Sequence, residues 1–118
     1  MKPKTRKTDS DLKKLVRTLE ILSRKENVKI WDTTAALLNK ATRRRAKVNL
    51  FKIDKYCLES EIALIPGKVL GVGNLTKNIK IAAYNFSESA SNKVKNKMTI
   101  QKLIQENPKG NKVRLIIW

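Results

Sequence analysis

In the segment IALIPGKVLGVGNLTKNIKIAAYNF, residues 62–86, three glycines and two lysines, Lys68 and Lys77, lie between two apolar runs. Glycine-rich turns that follow a strand can cradle phosphate groups with their backbone N–H groups. A Walker A loop that starts at Gly67 would need its second glycine at Val72, and a dinucleotide fingerprint that starts at Gly71 would need its third glycine at Thr76. The spacing therefore excludes both nucleotide motifs. It predicts a strand-turn-strand connection whose glycines supply positive φ.

The sequence contains few other side chains that could take part in catalysis. The chain contains no histidine and a single cysteine, Cys57, which excludes Cys-His and Ser-His chemistry and the usual zinc sites. Cys57 shares helical spacing with Leu50 and Ile53, so we expect it in the core. The carboxylates of the second half are scattered: Asp54, Glu59, Glu61, Glu88 and Glu106. We therefore expect a protein without catalytic residues, cofactor or metal.

The charge of the chain points to a polyanionic partner. Its 118 residues suit one domain, and 27 basic against 10 acidic side chains leave a net charge of +17. Nucleic acid, an anionic membrane and an acidic protein all fit that excess. No apolar run approaches the roughly 18 residues of a membrane span, and the N-terminus lacks the apolar region of a secretory signal. The single cysteine excludes an internal disulfide and suits a reducing, intracellular setting.

The apolar periodicity near the start of the chain predicts two successive helices. Apolar residues recur at helical spacing from Asp9 to about Lys25, with Asp9 or Ser10 as the cap. A second helix, capped by Asp32, runs to about Asn39. The segment 40–49 lacks periodicity and is predicted to be a loop.

Helices and short strands then alternate. We expect a helix at 50–60 capped by Asn49, a strand at 61–67 ended by Pro66 and Gly67, and a second strand at 78–86. Ser87 and Thr99 are predicted caps of two further helices, with Lys93 and Lys97 on a solvent side, and NKVRLIIW forms a closing strand. The predicted class is α/β, a small sheet covered by helices, in one domain over residues 9–118.

Two basic segments stand out as binding candidates. Residues 1–8 form a basic arm, and five of the ten residues 40–49 are basic, three of them consecutive arginines. The guanidinium fork suits phosphate because it can donate to two oxygens at once. Basic residues on the predicted outer faces of the first and third helices, and Lys68 in the glycine-rich turn, complete the set. The candidate RNA-binding residues are Lys2, Lys4, Arg6, Lys7, Lys14, Arg17, Lys40, Arg43, Arg44, Arg45, Lys47, Lys52 and Lys68.

Five sequence pieces occur in an order that resembles a known family. They are VKIWDTTAALLNK, RRRAKVNLFKIDKYC, IALIPGKVLGVGNL, IKIAAYNFSESASNKV and TIQKLIQENPKGNKVRLI. Together they resemble the archaeal and eukaryotic large-subunit ribosomal protein family numbered eighteen-e, which shares its fold with the ribosomal protein fifteen family. The likeness covers residues 9–117. Two departures fall in the basic loop: Ala41 stands where the family usually has proline, and Lys47 where an acidic residue is common.

The resemblance implies a non-enzymatic structural component of the large ribosomal subunit, of archaeal type, in the cytoplasm. It implies an irregular superhelix of short strands and helices. The implied partners are large-subunit ribosomal RNA and neighbouring ribosomal proteins, with no membrane and no small-molecule substrate. A DNA-compacting chromosomal protein would share the charge and remains the alternative, although no known DNA-binding motif is visible. A small RNA-cleaving enzyme would need an acid-base pair that the scattered carboxylates do not provide.

The arm generates a prediction of its own. Lys2, Lys4, Arg6 and Lys7 precede the first periodic apolar residue, so deleting residues 1–7 should leave the unfolding midpoint almost unchanged. If each charge neutralises one phosphate, the log–log salt slope of RNA binding should shrink by roughly 3 to 4 units, because each contact contributes about 0.7 to 0.9. A wild-type slope and affinity after deletion would show that the arm does not bind RNA. A midpoint lowered by many degrees would show that it supports the fold.

Overall fold

The computed structural model describes residues 9–40 and 45–117, with only the backbone of Asp9 and Ser10. Ten elements follow one another along the described chain. They are α1 (Asp9–Glu26), α2 (Lys29–Leu38), β1 (Ala46–Asn49), α3 (Leu50–Tyr56), β2 (Ile62–Leu70), β3 (Lys80–Phe86), α4 (Glu88–Lys93), β4 (Lys97–Thr99), α5 (Ile100–Glu106) and β5 (Val113–Leu115).

The five strands form one sheet in which every neighbouring pair is parallel. Strand β2 pairs with β3 along one edge. Its other edge is divided, because Ile62–Leu64 pairs with β5 and Gly67–Leu70 pairs with β1. Strand β4 pairs with the far side of β3. Parallel neighbours require a connection that returns across the sheet, so the chain winds through short strands and helices as expected, and the α/β class is confirmed.

Each face of the sheet has its own apolar core. One core lies under α3 and α4 and includes Ile65, Val69 and Ile81. The other lies under α1, α2 and α5 and includes Leu19, Trp31 and Leu64. A parallel sheet covered on both faces accounts for the near-continuous apolar run of β2.

The first helix is confirmed, whereas the second begins earlier than the sequence predicted. Helix α2 starts at Lys29 after Val28, and the predicted cap, Asp32, lies inside its first turn. Trp31 is fully buried there, and its Nε1 donates to Pro108 O at 2.7 Å. The helix thus begins before Asp32 and carries Trp31 on the face that packs into the core. The side chains of Asp9 and Ser10, the predicted caps of α1, lie outside the described part of the structure.

Two of the three predicted later caps form as expected. Ser87 Oγ accepts from Ala90 N at 3.1 Å, and Thr99 Oγ1 accepts from Lys102 N at 3.1 Å. Asn49 occupies the position before α3, but its side chain makes no capping bond, and its Oδ1 is buried without a hydrogen-bond partner among the described residues. The third helix also ends at Tyr56, ahead of the predicted Ser60.

The sequence missed two strands. Residues 46–49, predicted as part of a loop, form β1, and residues 97–99, predicted near a helix boundary, form β4. Strand β1 has one buried residue, Val48, and β4 has none. Such short segments carry too little alternation to be recognised, and they exist because β2 and β3 provide partners for their backbones.

The prediction that Pro66 and Gly67 end a strand is wrong. Strand β2 continues through both residues to Leu70, with a bulge: Ile65 is level with Ala83 and Lys68 with Asn85. Two residues of β2 therefore oppose one residue of β3, and a bulge tolerates a proline that cannot donate to the ladder. The expected tight turn at Gly67 is thus absent. The positive φ expected of the glycine segment occurs at Gly73, where φ is 96°.

Gly67 instead permits close backbone approach. It is the register partner of Ala46, and a Cβ on Gly67 would overlap the carbonyl oxygen of Ala46. We expect Gly67→Ala to lower the free energy of unfolding by about 1–3 kcal/mol or more, because β1 must move away. Lys68→Ala, an exposed substitution in the same strand, should change it by less than about 0.5 kcal/mol. Urea unfolding of both variants checks this, and equal midpoints would refute the close-approach argument.

Candidate nucleic-acid interface

Two of the predicted binding residues are brought together at the carboxyl end of the sheet. Lys47 of β1 is the register partner of Lys68 of β2, and Lys68 is level with Asn85 of β3. All three side chains are exposed. Like charges directly opposite each other on neighbouring strands destabilise the pair. The sheet therefore holds Lys47 and Lys68 level with each other on neighbouring strands, and a bound anion would reduce the repulsion between their charges.

Arg45 lies immediately before this pair, and the protein itself holds it. Its Nε donates to Leu38 O at 2.9 Å, at the end of α2. Its guanidinium carbon lies 5.4 Å from the centre of the Tyr84 ring, a cation–π distance. Tyr84 is the residue of β3 that faces the bulge of β2. Arg45 thus fixes the entry into β1 and brings a positive charge to the same end of the sheet.

Helix α1 contributes Lys14 to this region. Lys14 and Tyr84 line one cleft, with Asp11, Leu15, Thr18 and Gln101. Arg17 lies three residues after Lys14 and is also exposed, which places it on the same side of the helix. We call the group formed by Lys14, Arg45, Lys47, Lys68 and Asn85 the carboxyl-edge surface.

The remaining predicted residues are not part of this group in the described structure. Lys52 lies on α3, which packs on the opposite face of the sheet from α1, and its Nζ is 5.9 Å from the Tyr56 ring centre. Lys40 is exposed just after α2. Six predicted residues lie outside the described residues: Lys2, Lys4, Arg6, Lys7, Arg43 and Arg44.

Three lysines donate hydrogen bonds to backbone carbonyls, a structural role that the sequence did not indicate. Lys77 Nζ donates to Asp54 O at 2.7 Å and Cys57 O at 3.2 Å, at the C-terminal end of α3. There a positive charge also complements the helix dipole. Lys93 and Lys97 are exposed as expected, yet both also donate to carbonyls. Basic character alone therefore does not separate binding lysines from structural ones.

The glycine segment presents carbonyls to a lysine. Lys93 Nζ donates to Gly71 O at 2.8 Å and to Gly73 O at 3.1 Å. Further along, Asp54 Oδ1 accepts from Thr76 N at 2.8 Å, and Asp54 Oδ2 accepts from Thr76 Oγ1 at 2.9 Å. These contacts fix the connection between β2 and β3. The glycine-rich segment is therefore a structural connection and not a nucleotide-binding loop.

The carboxylates act as structural partners. Partial burial alone would raise the pKa of Asp54, but the bonds from Thr76 and the charge of Lys77 lower it on balance. The pKa of Glu61 is lowered chiefly by Arg114, whose Nε and second guanidinium nitrogen donate to the two carboxylate oxygens at 2.8 and 2.9 Å. Across residues 9–40 and 45–117, no three metal-ligating side chains come together. No helix among the same residues is long and apolar enough to cross a membrane.

Comparison with known proteins gives matches over most or nearly all of the chain. Residues 10–97 match the family described as ribosomal proteins 50S-L15 and 50S-L18e together with the 60S protein numbered 27A. The large ribosomal subunit protein eL18 of Methanosphaerula palustris is 43% identical over 98% of this chain and 99% of its own length. The eL18 proteins of Archaeoglobus fulgidus and Methanococcus maripaludis are 41% and 40% identical, over 95% and 92% of this chain and 99% and 94% of theirs.

These matches define the class first: a structural constituent of the large subunit of the cytoplasmic ribosome, and not an enzyme. Identity near 40% over almost the full length of both chains then assigns the family. The chain belongs to the archaeal eL18 family of ribosomal proteins. The resemblance read from the five sequence pieces is confirmed.

The buried position of Cys57 predicts that its thiol is unreactive in the folded protein. The side chain is fully buried, and burial, followed by the charge of Glu61, raises its pKa from 9.0 to about 11. At pH 8 the thiolate fraction should be about 100-fold lower in the folded protein than in the unfolded chain. We expect slow labelling by a thiol reagent in buffer and fast labelling in denaturant. Rapid labelling of the folded protein would remove Cys57 from the core.

Proposed function

We propose that this protein binds large-subunit ribosomal RNA through the carboxyl-edge surface, with neighbouring ribosomal proteins as its other partners. The observation that carries the proposal is the register pairing of Lys47 with Lys68. Neither amine makes a hydrogen bond or ion pair with the described residues, whereas Lys77 and Lys93 are both engaged by carbonyls. Lys47 and Lys68 are therefore available to a partner.

The neighbours of the lysine pair favour a phosphate backbone. Strands in a sheet lie about 4.8 Å apart, so the two ammonium groups can reach adjacent phosphate oxygens. Release of the counterions that these phosphates hold supplies the binding free energy. Arg45, held against Tyr84, adds a charge whose side chain is already ordered.

The exposed amide of Asn85 suits RNA in particular. An amide side chain has both donors and an acceptor, which match the 2′-hydroxyl of ribose. Its place level with Lys68 would align a ribose contact beside the phosphate contacts. Binding by phosphates and hydroxyls would recognise the shape of a helix more than its sequence.

The basic segments outside the described residues extend the same proposal. We propose that Arg43 and Arg44, which precede Arg45 in the chain, also bind RNA. Lys40 precedes them in the chain. The arm precedes α1, the helix that carries Lys14 and Arg17. We propose that Lys2, Lys4, Arg6 and Lys7 reach RNA from there.

The test compares two double variants with the same change in charge. Lys47→Ala with Lys68→Ala removes the paired amines. Lys80→Ala with Lys95→Ala removes two exposed lysines from the opposite end, since Lys80 begins β3 and Lys95 precedes β4. Binding to a fragment of large-subunit RNA should weaken more for the first variant, and its salt slope should fall by about 1.5 units, the contribution of two phosphates.

Three results would contradict the proposal. Equal weakening by the two variants would mean that net charge alone attracts RNA. Wild-type affinity of the first variant would remove the lysine pair from the interface. Equal affinity of the wild-type protein for a DNA duplex of the same length would favour the chromosomal alternative. Thermal unfolding of both variants checks that the fold is intact.

A further inference from the structure

Two large apolar side chains are exposed beside each other at one corner of the protein. Phe51, on the first turn of α3, is 46% exposed, and Val72, in the connection after β2, is 61% exposed. Phe51 N donates to Val72 O at 3.2 Å, so the two residues are held in contact through their backbones. We call Phe51 and Val72 the apolar tip.

The apolar tip is built as a rigid feature. Gly73 packs directly on the backbone and Cβ of Phe51, and its φ of 96° is one that residues with side chains rarely adopt. Lys93 fixes the same turn through the carbonyls of Gly71 and Gly73. The turn therefore displays the ring of Phe51 to solvent, although burying it would be favourable. Because the turn that supports the ring is already rigid, a partner can bind the ring without the entropy cost of ordering this site.

The surroundings of the apolar tip are positively charged. Helix α3 follows β1 without a loop, and Val72 comes two residues after the end of β2, so the tip lies at the same carboxyl end of the sheet as Lys68, although α3 packs on the opposite face from α1. Lys52 follows Phe51 in the chain, and Lys68 lies near the end of β2. These charges favour an anionic occupant. The tip and the RNA interface proposed above therefore lie at the same end of the sheet.

The size of the tip decides which anionic occupant fits. A stable protein–protein interface covers roughly 800 Å² on each partner, far more than two side chains provide. A single aromatic ring, by contrast, is sufficient for one unpaired base, and each stacked base strengthens binding by about 5- to 150-fold. We propose that Phe51 stacks on one unpaired base of ribosomal RNA, with Val72 at the edge of that base and Lys68 near a flanking phosphate. This inference rests on the proposed function and adds a contact to a base to the proposed contacts with phosphates and ribose.

The experiment uses two RNA probes with the full-length protein. One probe is a fully paired RNA duplex, and the other is the same duplex interrupted by an unpaired loop that carries 2-aminopurine, whose fluorescence falls when it stacks. Phe51→Ala keeps the Cβ on which Gly73 packs and removes only the ring. We expect this variant to lose about 5-fold or more in affinity for the looped probe and to lose the quenching, with little change on the duplex. Phe51→Tyr should restore both signals.

Tyr56→Ala is the matched control. Tyr56 lies on the same helix and is 39% exposed, but lysine amines already lie 5.4 and 5.9 Å from its ring centre. Its loss should leave binding of the looped probe near the wild-type value. The thermal unfolding midpoint of each variant reports on the fold.

The outcomes separate failure of this inference from failure of the proposed function. Unchanged affinity and quenching in Phe51→Ala, while the wild-type protein binds both probes, would overturn stacking and leave RNA binding intact. Equal loss on the two probes would also overturn it, because a base contact requires the loop. Normal RNA binding with poor incorporation into large subunits would assign the tip to a neighbouring protein. If the wild-type protein bound neither probe, the proposed function would fall as well.

Discussion

The whole structure depends on the pairing of β2 along both of its edges. Its first residues pair with β5 and its last with β1 on one side, while β3 runs along the other. The divided edge requires the backbone of β1 to approach Gly67 closely, and any side chain there would collide with Ala46. Because all these pairings are parallel, the connections must cross the faces of the sheet, and their helices bury β2 on both sides.

Charge is distributed by the same strand geometry. Val48 and Val69 are register partners that point into one core, so Lys47 and Lys68, their neighbours in the chain, are turned to the other side. Helices cover that side over Leu64 and Ala82, but at the carboxyl end of the sheet the two lysines are exposed. Stability and the proposed RNA binding are thus coupled in β1 and β2. The core residues that secure the strands also set the spacing of the two lysine charges.

Much of the candidate site was recognisable from sequence, but the roles of its members were not. The predicted outer face of the first helix, the charge density of residues 40–49 and the glycine-rich turn identified Lys14, Lys47 and Lys68, respectively, as candidates. They could not show that Arg45 is held by Leu38, seven residues before it, and by Tyr84, far from it in the chain, because both contacts depend on how α2 and β3 are placed beside β1. Lys93 illustrates the opposite case, since a lysine predicted to face solvent also fixes the glycine turn. An ammonium group has the same sequence signature whether it binds a carbonyl or a phosphate.

The sequence by itself determined the helices with strong apolar periodicity, the caps at Ser87 and Thr99, the α/β class, the family and the expectation of a polyanionic partner. These depend on local spacing, on composition and on motif order, all of which can be read along the chain. Only the tertiary structure decided the path of β2 through Pro66 and Gly67, the existence of β1 and β4, and the exposure of Phe51 beside Val72. Each of these depends on backbone pairing or close approach between segments far apart in sequence. A short strand has too few residues to show alternation, so its partner, rather than its own propensity, determines its conformation.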